Sequence, residues 1–122
     1  MDKAQAIQNF WSSFGLDAFD ENTVPKDAQL PYITYSFSTG SFDEPVTMVA
    51  SVWYRDTSWS AISKKTDQIS TEIGRGGITL AFDDGWVWIK RGLPFAQRTS
   101  EPNDASIRRV YLNIEVEFFS EN

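Results

Sequence analysis

Near the N-terminus, Ala4, Ile7, Trp11 and Phe14 recur at three- and four-residue intervals, with Phe10 beside them. That spacing makes one apolar stripe and predicts a short helix. Asp2 stands where a side chain can cap its start, and Gly15 where a left-handed turn can end it. Residues 16–30 have no clear period. They carry Asp17, Asp20, Glu21, Pro25 and a Lys26-Asp27 pair, which predicts an irregular connection along the surface. The run Tyr32-Ile33-Thr34-Tyr35-Ser36-Phe37 then alternates, with Ile33, Tyr35 and Phe37 on one face, and predicts a strand. A turn follows over 38–45, where Gly40 and Asp43 lie. Residues 46–55 form a second strand, with Val46, Met48, Ala50, Val52 and Tyr54 on one face and Val49 and Trp53 on the other. Large apolar groups on both faces predict that both are covered.

Trp59, Ile62, Thr66, Ile69 and Ile73 share the period of one helical face, so a second helix is expected over 58–73. Thr57 or Ser58 can cap it, and Gly74-Arg75-Gly76-Gly77 stops it. Asp84-Gly85 is a two-residue hairpin signal between Ile78-Thr79-Leu80-Ala81-Phe82 and Trp86-Val87-Trp88-Ile89-Lys90. Such a turn pairs Phe82 with Val87 and Leu80 with Ile89. It puts these four on a core face and Trp86, Trp88, Ala81, Thr79 and Lys90 on the other. Residues 92–106 contain Gly92, Pro94, Pro102 and Asn103 without a period and read as a long, mobile arm anchored by Leu93 and Phe95. In the last strand Val110, Leu112, Ile114, Val116 and Phe118 alternate with Arg109, Tyr111, Asn113, Glu115 and Glu117. The fold class expected is α+β: one two-layer domain over 1–122, with a mainly antiparallel sheet, a helix packed on one face and a short N-terminal helix.

Composition narrows the chemistry. The 122 residues include no cysteine and no histidine, and 11 Lys and Arg against 17 Asp and Glu leave a net charge of −6. Disulfides, thiol nucleophiles, histidine-based triads and Cys/His metal sites are excluded. The acidic balance argues against sequence-specific nucleic-acid binding, which needs clustered cations. No basic region followed by an apolar run begins the chain, so no signal peptide is expected. The longest apolar run, Trp86-Val87-Trp88-Ile89, is far below the ~20 residues that span a membrane, and a soluble protein is expected. Nine Phe, five Trp and four Tyr supply much contact surface for so short a chain.

Asp83-Asp84-Gly85 is hairpin chemistry rather than a carboxylate pair, and it offers too few oxygens for calcium. Glu115 and Glu117 share a wet strand face, whereas a hydrolytic pair flanks a cleft from different elements. The glycine run 74–77 follows a helix and precedes a strand, the reverse of a phosphate-cradling loop. No catalytic residue, cofactor or metal is therefore expected. Trp86 and Trp88, opposite the core face, point to an interface with another chain or a second layer under the first helix; stacking on sugar comes third.

Taken together, Leu30-Pro31-Tyr32-Ile33-Thr34-Tyr35, Trp53-Tyr54-Arg55, the 58–74 segment, Trp88-Ile89-Lys90-Arg91-Gly92 and the strict last strand resemble the tail terminators among the neck and tail-completion proteins of long-tailed bacteriophages. The resemblance covers most of the chain in element order and length, through structural patterns rather than catalytic signatures. It implies a non-enzymatic virion protein, made in the host cytoplasm, that forms a homohexameric ring. The ring would cap the tail tube, receive the head-tail connector and pass DNA through its lumen, with no membrane involved. Trp86, Trp88, Leu93, Phe95 and Tyr111 are the candidate subunit-interface residues. Another neck or head-closure protein, and a carbohydrate-binding module using Trp86, Trp88 and Tyr111, are the alternatives.

Overall fold

The computed structural model describes residues 1–39 and 44–120; the middle half of the turn expected over 38–45 lies outside them. Within the described residues the chain runs α1 (Lys3–Ser12), β1 (Asp17–Asp20), β2 (Tyr32–Tyr35), β3 (Val46–Arg55), α2 (Ser60–Ile73), β4 (Ile78–Phe82), β5 (Gly85–Thr99) and β6 (Ile107–Ser120). The strands form one sheet in the order β1-β2-β3-β6-β5-β4. β1 and β2 are parallel, and every other neighbouring pair is antiparallel. Both helices lie on one face of this sheet, which gives the expected two-layer α+β fold.

Local chemistry explains the helices. The Asp2 carboxylate accepts the Gln5 N–H at 2.8 Å, which satisfies one of the unpaired donors at the start of α1. Ala6, Ile7, Phe10 and Trp11 turn its apolar stripe inward. Gly15 then takes φ +82, a conformation that a side chain would strain. At α2 the Ser58 hydroxyl accepts the Ser60 N–H at 3.0 Å, and Asp56 in turn accepts the Ser58 N–H. Ile62, Thr66, Ile69 and Ile73 face the core. They meet Met48, Ala50 and Val52 of β3, Val87 and Ile89 of β5, and Val110, Leu112, Ile114 and Val116 of β6 in one cluster.

α1 touches both β1 and β4, the two edges of the sheet, so the sheet curls around it. Gln8 Nε2 donates to the Ala18 carbonyl at 3.0 Å, and the Tyr35 hydroxyl donates to Gln8 Oε1. Burial, and then the nearby Asp20 charge, push the Tyr35 pKa above its ordinary value and keep that hydroxyl a donor. At the other edge the Asp83 N–H donates to the Met1 carbonyl at 2.8 Å, and the Met1 amino group pairs with the Asp83 carboxylate.

Four expectations need correction. The connection over 16–30 contains β1, which buries only Ala18 and so has no apolar period of its own; its parallel ladder with β2 creates it. The hairpin turns at Asp83-Asp84, pairing Phe82 with Gly85 and Leu80 with Val87. This is a two-residue slip from the expected register, and because strand faces repeat every two residues the core face survives it. Residues 92–99 are not an arm but the second half of β5. Only Gly92, Leu93, Pro94 and Phe95 bulge from the ladder, between the Arg91–Ile114 and Ala96–Leu112 pairs. Finally, among the described residues no helix covers the second face of β3, where Val49 and Trp53 remain partly exposed.

Candidate functional site

Strand alternation sends every second side chain away from the helices, onto the open face of the sheet. Two aromatic groups form there. The first crosses four strands: Phe19 of β1 meets Tyr32 of β2 edge-on at 5.7 Å, and Tyr32 lies 6.4 Å from Trp53 of β3. The Arg109 guanidinium of β6 then stands 4.4 Å from the Trp53 ring and 5.7 Å from Tyr111. The group is pinned from below. Trp53 Nε1 donates to Thr34 Oγ1 at 2.9 Å and Arg109 Nε to Ser51 Oγ at 3.0 Å, and both hydroxyls are buried by the rings above them. Glu101 lies 3.6 Å from the other side of the guanidinium.

The second group belongs to β5 and the end of β6. Trp86 stacks on Phe119 with ring centres 4.1 Å apart and planes 14° from parallel, yet remains 42% exposed. Trp88 donates its indole N–H to the Gly76 carbonyl at 2.9 Å, and Lys90 Nζ sits 4.4 Å above its ring. This bond ties β5 to the turn after α2. Trp88 is thus partly a structural residue, whereas Trp86 offers free area. Glu115 and Glu117 lie on the same face opposite Lys90 and Trp88.

The sequence-derived candidates separate in the structure. Trp86, Trp88 and Tyr111 occupy the open face, away from α1, so the first helix does not cover the indoles. Leu93 stands on the bulge and is 98% exposed. Phe95 does not join it, because its ring packs back against the core. Phe19, Tyr32, Trp53, Arg109 and Phe119 were not among the candidates. The opposite-face position of Trp53 was the available signal; strand order was needed to bring the others to it. Asp83 and Asp84 are exposed turn residues. Among the described residues no cluster of three or more His, Cys, Asp or Glu is placed to hold a metal ion, and no helix is long and apolar enough to cross a membrane.

Rigid, half-exposed aromatic area backed by satisfied polar groups suits burial against another macromolecule. No family model matches the sequence, and no curated protein gives a significant match. A chain in a solved structure of the virion of a native gene transfer agent particle matches with TM-score 0.59 at 15% identity, over 94% of this chain and 96% of that one. The two chains share a fold. The likeness spans nearly the full length of both.

Proposed function

We propose that this chain is a structural, non-enzymatic subunit of a phage-like virion: a tail-terminator-type protein that forms a hexameric ring, caps the tail tube and receives the head connector. The full-length likeness to a chain of a gene transfer agent virion carries the reading. The open aromatic face supports it. β3 is apolar on both faces, and the helices of the described residues cover only one of them, which leaves the partly exposed Trp53 and Val49 for a partner. Trp86 is the residue best placed to be buried at a subunit boundary, since tryptophan recurs where interfaces concentrate energy. The acidic balance suits a ring that lets DNA slide through rather than holding it.

Sedimentation of the protein alone and with a phage tail tube protein tests the reading. A ring-sized species is expected in at least one of the two samples. Trp86→Ser should melt like the parent while weakening assembly about tenfold or more. A parent that stays monomeric even with the tube protein overturns the function.

A further inference from the structure

Two features outside the aromatic rings fit each other, the first bordering the second aromatic group through Lys90 and Glu115. The first is Leu93, which projects from the β5 bulge with 98% of its surface in water. The bulge is pinned on both sides of it. Gly92 is packed so closely against Asn113 that an added Cβ would stand 3.0 Å from that residue's carbonyl oxygen. Asn113 Nδ2 donates to the Pro94 carbonyl at 2.9 Å, and Phe95 packs on the core. A bulge re-aims a side chain, and here it holds an apolar knob outward at little further entropic cost. Arg75, Lys90 and Arg91 surround it, with Glu115 as the one acid in the same hollow.

The second feature is a cavity of about 290 Å³ between α1, β4 and the end of α2. Ala6, Phe10, Ile78, Leu80 and Ala81 make its walls mainly apolar. The acid that lines it is Glu72, with Asp2 next to Met1 at the mouth; the Met1 amino group there is paired with Asp83 and leaves no net charge from that pair. Lys3 is turned towards Phe118, with Nζ 5.4 Å from that ring.

We propose that Leu93 of one copy seats in this cavity of a second copy of the same chain, with Arg91 and Arg75 facing Glu72. Charge complementarity selects the occupant. Copies carrying −6 each repel one another, so a self-contact must bring the local basic hollow against an acidic rim. The knob and the cavity are different patches, so the contact is head-to-tail, the type that builds rings when its rotation closes. The identity of the partner rests on the ring reading above; the residues and their pairing do not follow from it.

The test measures self-association of the full chain by sedimentation, with thermal melts as the control for folding. Leu93→Ser should keep the parent melt and weaken association about thirtyfold, the value of burying one leucine. Glu72→Arg and Arg91→Glu should each weaken it, and the double variant should recover part of the loss, since positions 72 and 91 then again pair opposite charges while Arg75 is left facing a cation. A parent that is monomeric at all concentrations, a Leu93→Ser variant that associates like the parent, or a double variant no better than the singles overturns the proposal. The failures are distinguishable. Rings that persist in Leu93→Ser remove this contact and leave the ring function standing, whereas a parent that does not assemble even with the tube protein removes the function itself.

Discussion

At Gly85 an added Cβ would lie 1.9 Å from the Phe119 carbonyl oxygen. The glycine therefore serves the close approach of β5 to β6 and not a left-handed turn. An asparagine, which a left-handed hairpin turn would accept readily, becomes a discriminating probe. Gly85→Asn should destabilise the protein by about 2 kcal/mol or more, as forced overpacking does; a chemical-denaturation midpoint equal to the parent's would place the glycine back in the turn. Asp104 is informative in a different way. The Ser106 hydroxyl first, then the Ser106 N–H and Arg55, bring its pKa down to about 2 from an ordinary 3.8. A carboxyl held low stabilises the fold above its unfolded pKa, and the benefit goes as pH falls through the folded one. Loop 100–106 should hence loosen between pH 3.8 and about 2. Amide exchange at Ser106 across that window should show it, and Asp104→Asn should flatten the response.

Among the elements, those governed by their own periodicity were legible. β3 has the bounds that alternation gives it, β6 carries its five alternating core residues, and α2 starts within two residues of expectation because its apolar face is regular. Elements made by pairing were not legible. β1 exists because Ala18 and Phe19 lie beside Ile33 and Thr34, a relation that no local pattern encodes. β5 hid behind Gly92 and Pro94, which punctuate loops in sequence but mark a bulge here. The open face was half legible for the same reason. Trp86 and Trp88 sit on one strand and show their alternation, whereas Phe19, Tyr32, Trp53 and Arg109 become neighbours only through strand order. Hydrogen exchange gives the element-scale prediction. Amides of residues 96–99, paired with β6, should be protected as well as those of 87–91. Exchange there as fast as in loop 100–106 would return the segment to an arm.

For the whole molecule, stability concentrates where the two helices and the curled sheet share one core. Leu112 and Ile114 are fully buried on the central strand, in contact with the cluster formed by both helices. Ile114→Ala should cost ~2–5 kcal/mol, the range for aliphatic deletion from a packed core. A melting temperature unchanged from the parent's would contradict the face assignment. The composition had already shown that such a core must hold without disulfides or metal clips of Cys/His type, and the aromatic load of α1 is part of the answer. Phe10 meets Trp11 at 4.8 Å and Phe14 at 5.3 Å, all three buried between the sheet's edges.

The place of β6 has a consequence for synthesis. It is the last strand among the described residues, yet it lies in the middle of the sheet, between β3 and β5. Until residues 107–120 leave the ribosome, β1-β2-β3 and β4-β5 share no ladder, and the β3 and β5 surfaces that α2 packs on are not joined. Folding must wait for that segment, because long-range pairing cannot precede the chain that supplies it. A nascent protein cut short before β6 therefore offers no Tyr111, no Phe119 platform for Trp86 and no Asn113 to hold the Leu93 bulge.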